Sequence, residues 1–258
     1  MSGATYQSVF RNQLAAPELL GVFQGACVGA ALAILLGAGS FGIQTLALGG
    51  GITAVAMTRT VTGFFRNDST TTFVLSGVIV SGLLRSILGL LKYIMDTETQ
   101  LPSITYWELG SLADMTTRKV MLVAPAMVIT MAALLLMRWQ FNLLSLGDDE
   151  ARALGVNVAA VRGVTIICAT LLTSCAVCLG GTIMWVGLLI PHVGRLLVGP
   201  DNMRLLPVII FFGAIFLISI DTAARSLSAM EIPLSILTGL IGAPIFIALL
   251  ARRKVQLK

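Results

Sequence analysis

Only a few places in this sequence bring together side chains able to do chemistry. Cys175 and Cys178 stand at the spacing used by redox dithiols and metal-binding loops, with Cys168 near the same helical face and Cys27 far away. A metal site would need a second pair or a histidine beside them. The one histidine, His192, lies instead in a Pro191-His192-x-x-Arg195 segment with no thiol or carboxylate cluster. The cysteines therefore read as packing material and His192 as a structural histidine near a membrane surface. Asp221 and Arg225 stand one helical turn apart inside an apolar run. They either neutralise each other or serve as an outer docking charge or pathway residue. No Gly-x-x-x-x-Gly-Lys-Ser/Thr phosphate loop occurs, and no nucleophile stands with a base. The residues predict no catalytic site and no metal site, so the chain is not an enzyme by itself.

The densest polar stretch spans about 141–157 and carries Asp148, Asp149 and Glu150 in succession. Those acids suit the first turn of a helix, Ala151, Ala153 and Leu154 extend it, and Gly155 is placed to end it. Arg152 lies on the same short element. Between two membrane spans, such a helix is a docking surface for a soluble partner; the plainer alternative is a solvated loop.

The elements that must position these residues are membrane spans. The chain is 57% hydrophobic and 11% charged, with a mean hydropathy of +0.94. Its apolar runs are too long and uncharged for a soluble core. The net charge of +5 is dispersed over the span ends, so it is not a nucleic-acid footprint. The fold class is all-α, one polytopic domain over 1–258. Eight candidate spans cover about 19–38, 45–64, 73–94, 120–137, 161–179, 183–198, 206–223 and 232–251. Gly21, Gly25 and Gly29 form a small-residue stripe suited to close helix contact. Gly49-Gly50-Gly51 should weaken or bend its helix, and Pro125 and Pro244 should kink theirs. The outer loop 95–117 has room for a short surface helix, and Ser69 to Thr72 either cap the third span or narrow a pore mouth. Placing the acidic island in the cytoplasm puts 12 of the 17 lysines and arginines on that side and five outside. The positive-inside rule then makes the C-terminus cytoplasmic too.

Taken in order, the motifs resemble the permease subunits of ABC importers for iron–siderophores, haem and cobalamin. The matching segments are Arg11-Asn12-Gln13-Leu14-Ala15-Ala16-Pro17, Trp107 to Leu112, Leu146 to Gly155, Val186 to Arg195, Asp221 through Arg225 to Glu231 and Pro233, and Gly242 to Phe246. Together they cover nearly the whole chain. Departures are Gln13 for a proline, Asp148 for a glutamate, and Asn202-Met203 for His-Arg. The first two keep the local character; the third argues against that loop as a site.

The resemblance implies roles. Asp148, Asp149, Glu150, Ala151, Arg152, Leu154 and Gly155 would form the coupling helix that docks on an ATPase subunit. Asn12, Leu14, Thr70 and Thr71 match positions of a cytoplasmic gate, and Arg225 matches an outer arginine that pairs with a glutamate of the substrate-binding protein. The implied partners are a second permease, identical or similar, two ATPase subunits, an extracytoplasmic binding protein and membrane lipid. No cofactor is expected on this chain, ATP and Mg being used by the ATPases. The implied location is the bacterial inner membrane, and the favoured cargo an iron–siderophore. The similar permeases have ten spans, and this sequence starts inside what resembles the second, so a truncated gene model is expected. N-terminal mass spectrometry finding native chains that start at Met1 would refute that. The rival reading is a secondary transporter driven by an ion gradient, which would want ionisable residues at the midplane; Asp221 and Arg85 are its candidates.

Overall fold

The computed structural model describes residues 1–65, 70–228 and 231–256. Side chains at 70 and from 249 onward lie outside the described residues, as do Arg66, Ser69 and Lys258. Among the described residues the chain is helical and contains no strand. In order, the helices are α1 (Ser2–Val9), α2 (Val22–Leu35), α3 (Ser40–Phe64), α4 (Thr70–Ile94), α5 (Gln100–Leu109) and α6 (Thr117–Leu136). They continue as α7 (Arg138–Leu146), α8 (Asp148–Ala153), α9 (Val158–Gly180), α10 (Val186–Val198), α11 (Asn202–Ser226) and α12 (Leu234–Gln256). A 3-10 turn at Pro17–Leu20 precedes α2.

Five of these, α3, α4, α6, α9 and α11, are long and apolar enough to cross a membrane, and α2, α10 and α12 are shorter apolar helices. Each expected span thus has a helix. The first is cut to 14 residues. The 3-10 turn and Gly21, held at φ 80°, take up its front. Gly21 therefore makes a left-handed joint rather than a rung of the glycine stripe.

α1 is the centre of the bundle, and every one of its eight residues is buried although most are polar. A buried hydroxyl seeks a partner, and α9 supplies those of Ser2 and Tyr6. Ser2 Oγ donates to the Ala169 carbonyl at 3.0 Å and lies 2.6 Å from Thr173 Oγ1, while Tyr6 Oη and Thr170 Oγ1 are 2.8 Å apart. Gly3 lets α10 approach: a Cβ there would fall 1.9 Å from the Gly187 carbonyl oxygen.

The rest of the stripe behaves as expected. A Cβ on Gly25 would fall 2.2 Å from the Gly50 carbonyl oxygen, and one on Gly29 would fall 2.0 Å from that of Leu46. With no hydrophobic force between helices in lipid, such backbone approach gains the dispersion contacts that hold α2 on α3. The expected weakening at 49–51 is corrected: α3 runs unbroken from Ser40 to Phe64. Gly50 faces α2 and Gly51 faces Ser174 of α9, so packing on both sides offsets the poor helix propensity. Pro125, Pro191, Pro207 and Pro244 all lie inside continuous helices.

Cys175 and Cys178 are buried and form no disulfide, and the Cys178 thiol donates to the Cys175 carbonyl at 3.2 Å. His192 is buried with its ring edge-on to Phe246, centroids 5.6 Å apart. Both are parts of the packing between helices.

Candidate functional site: a coupling helix tied to a gate loop

At one end of the bundle, α7, α8, the end of α1 and the start of α11 come together. α7 is an amphipathic helix that the polar reading of 141–147 missed; it buries Phe141 and Leu144 beside α1. The three-residue spacing of Phe141 and Leu144 is the signal that could have found it. Asn142 on α7 reaches Asp201 (2.6 Å) and accepts from the Asn202 backbone and side-chain amides (2.9 Å each). Asp201 caps α11 through the Met203 N–H, and that bond, helped by the Asn142 amide, holds its carboxyl below the usual range. Asn202 also accepts from Ser8 (3.1 Å), and Arg195 donates to Gln7 (2.6 Å). The Asn202-Met203 departure therefore falls in a structural network.

α8 follows directly. Gly147, at φ 148°, turns the chain, and Ala151 is fully buried against the main core. The helix ends with Leu154 at its C-cap and Gly155 at φ 82°. The Gly155 N–H donates to Arg152 and the Val156 N–H to Ala151, the paired bonds of a Schellman stop. Glycine is the residue that this left-handed position favours. The inner side of α8 is thus Ala151 and Asp148. Its outer side presents Asp149, Glu150, Arg152 and Leu154; Asp149 and Arg152 pair at 3.1 Å, and Leu154 is 59% exposed.

Asp148 is bound twice. Arg162 of α9 donates from Nη2 to both carboxylate oxygens at 3.2 Å, and Arg11 Nη2 lies 3.2 Å from Oδ1. Arg11 itself ends α1 by the same device that ends α8. Its N–H bonds to Ser8 and that of Asn12 to Gln7, with Arg11 at φ 47°. A left-handed backbone costs a residue with a Cβ roughly 1–2 kcal/mol. The arginine stands where glycine would be easier.

The loop after Arg11 holds two predicted gate residues. Asn12 Oδ1 accepts from the Leu14 N–H at 2.9 Å and the Asn12 carbonyl from Ala15 at 3.0 Å, leaving Leu14 56% exposed at the tip. The other two, Thr70 and Thr71, open α4, and Thr71 is exposed. Phe73, two residues further, sets its ring 5.8 Å from that of Phe10, so both gate segments lie at this end.

The opposite end holds Arg225. Its Nε and Nη2 fork onto Asp221 at 3.0 and 3.1 Å, and Nη1 lies 3.9 Å from Glu231. The local pair expected from spacing is present, with Glu231 as a further acid. Lys92 pairs with Glu108 nearby in sequence order, tying α4 to α5. Among the described residues no group of three His, Cys, Asp or Glu side chains is placed to hold a metal ion.

Comparison with known proteins bears on what these ends do. A model of the FecCD transport family matches residues 1–252. The molybdate import system permease protein MolB of Haemophilus influenzae is 41% identical over 254 residues, covering 98% of this chain and 75% of that protein. The cobalamin import system permease protein BtuC of Halobacterium salinarum is 37% identical over 257 residues, covering 99% and 69%. A solved inward-facing structure, assigned to a metal-chelate type ABC transporter, superposes with a TM-score of 0.91 at 41% identity, over 97% of this chain and 80% of that one.

Proposed function

The chain belongs to the FecCD transport family, and from that membership we propose a specific division of labour along its length. It is a permease subunit of an ABC importer, a multi-pass membrane protein that works with ATPase and substrate-binding components. In the proposed arrangement it lies in the inner membrane with the α8 end and the C-terminus cytoplasmic. It pairs with a second permease, and cargo passes between the two. Two ATPase subunits receive α8, the residues of contact being Asp149, Glu150, Arg152 and Leu154. Asp148, Ala151 and Gly155 hold the helix in place. Asn12, Leu14, Thr70 and Thr71 form the gate. ATP and Mg are used by the ATPases, and this chain binds no cofactor of its own.

The single observation that carries this reading is the build of α8. A short helix closed by glycine joints at both ends buries one side and presents a charged and apolar face to solvent. Alternating access follows if closure of the ATPases moves α8 and the gate has two arrangements of similar energy. The test is a pull-down of α8 variants against the ATPase subunit; a charge-reversed Asp149/Arg152 pair that binds as well as wild type would remove this face from the interface.

The proposed cargo is a metal chelate, an iron–siderophore first, with haem and cobalamin in the same class. A molybdate cargo is the second reading, favoured by the relative named for it. Uptake assays with a ferric siderophore, cobalamin, haem and molybdate in parallel separate them.

Arg225 is proposed to meet an acid on the binding protein. Its side chain is 43% exposed while bonded to Asp221, so it offers a pre-oriented fork. Replacing it with glutamate should lower docking affinity about tenfold or more and flatten its salt dependence. Unchanged affinity by surface plasmon resonance would place the docking site elsewhere.

A further inference from the structure

α1 and α8 end in the same hydrogen-bonded stop, yet one carries glycine at the left-handed position and the other carries Arg11. Nothing in the geometry of a helix end asks for arginine there, so its side chain supplies the reason. That side chain reaches Asp148, the first residue of α8, at 3.2 Å. Asp148 is held from its other side by Arg162 of α9. One carboxylate thus ties together α8, α9 and the residue that starts the gate loop.

We propose that Arg11 is the joint that carries displacement of α8 to the gate, through its ion pair with Asp148. The proposal rests on the reading that α8 docks the ATPase and that Asn12 and Leu14 gate the path. The loop is built to respond as a unit. The Asn12 N–H is bonded back to Gln7, and the Leu14 and Ala15 N–H groups are bonded to Asn12, so the end of α1 and the loop form one hydrogen-bonded turn. A pull on the Arg11 guanidinium therefore shifts the turn and Leu14 with it, in place of stretching slack chain. Arg162 acts in parallel, passing the same displacement to α9, which packs along α1. Arg11 and Arg162 are positioning residues, acting through Asp148 on groups that line the path.

Thermodynamically an exposed ion pair is a weak stabiliser, and Arg11 is 45% exposed at its side chain. The expected signature of its loss is therefore in coupling and not in folding. Arg11→Gly removes the link and relieves the left-handed backbone, and Arg11→Asn removes it with a residue that also tolerates that conformation. The experiment reconstitutes the full complex, permease with ATPase and binding protein, in liposomes and measures cargo taken up per ATP hydrolysed. A wild-type complex that assembles and couples establishes the reading on which the proposal stands; one that fails to do so overturns that reading and leaves nothing to relay. Given a coupled wild type, both variants are expected to melt no lower than wild type and to lose about fivefold or more in cargo per ATP. In a double-mutant cycle, Arg11→Gly adds no further loss to an Asp148→Asn background, because losing the carboxylate has already broken the Arg11 contact together with that of Arg162. Wild-type stoichiometry in Arg11→Gly and Arg11→Asn, or losses that multiply in the double variant, would overturn the joint.

Discussion

Replacing Leu154 with aspartate is expected to cut cargo uptake by about tenfold or more while the permease still folds. Leu154 sits at the C-cap of α8 with 59% of its surface exposed, so the core does not depend on it. In the proposed docking, this exposed leucine, at the end of a helix whose other outward residues are charged, seats in an apolar pocket of the ATPase. Desolvated apolar anchors at the centre of an interface carry much of its energy, and an aspartate there would be a buried, unpaired charge. Either the ATPase no longer stays bound or its strokes no longer reach the permease. Co-purification distinguishes the two outcomes, and uptake at the wild-type rate would show that α8 is not the docking element.

The second large effect is on folding. Gly25→Leu is expected to abolish the monodisperse protein, read by size-exclusion of a fluorescent fusion. A Cβ at Gly25 would meet the Gly50 carbonyl oxygen at 2.2 Å and the Ala54 Cβ at 2.6 Å. These are backbone and Cβ atoms of α3 that no rotamer change can withdraw, so α2 and α3 would have to separate. Ordinary overpacking costs about 1–3 kcal/mol, and parting two helices along their shared seam costs more. That is a large part of a typical margin of about 5–15 kcal/mol. Gly49→Leu is the matched control, since nothing lies within 4 Å of a Cβ there. Normal behaviour of Gly25→Leu, or equal damage from Gly49→Leu, would contradict the packing described.

Much of this was readable in the residues. The apolar runs announced every membrane-length helix, because length and lack of charge are all that a bilayer demands. Gly155 and the three acids announced α8 with its correct stop, since helix termini have local chemistry. The Asp221–Arg225 pair was visible because its geometry is local as well. What escaped notice depended on distant partners. α7 hid in a stretch judged by its polarity, although Phe141 and Leu144 give it a buried face. The glycines at 49–51 looked like a weak point because propensity acts on one helix, whereas their use is in contacts with α2 and α9. Gly21 lay on the spacing of the stripe but is spent on a turn. Most of all, the pairing of Arg11 with Asp148 spans 137 positions, and no periodicity could reveal it. The left-handed φ of Arg11 is equally silent in sequence, because arginine is not a residue that announces such a turn.

In the proposed function this chain is the membrane half of an ATP-driven importer, moved by ATPases through α8. The most direct test is purification of the tagged protein in mild detergent with its co-expressed ATPase and binding protein, followed by ATPase and uptake assays in liposomes. The ATPase is expected to co-purify, loaded binding protein to accelerate hydrolysis, and uptake to require ATP inside the compartment where α8 lies. A chain that purifies alone and takes up cargo on an ion gradient, with no ATP consumed, would contradict it.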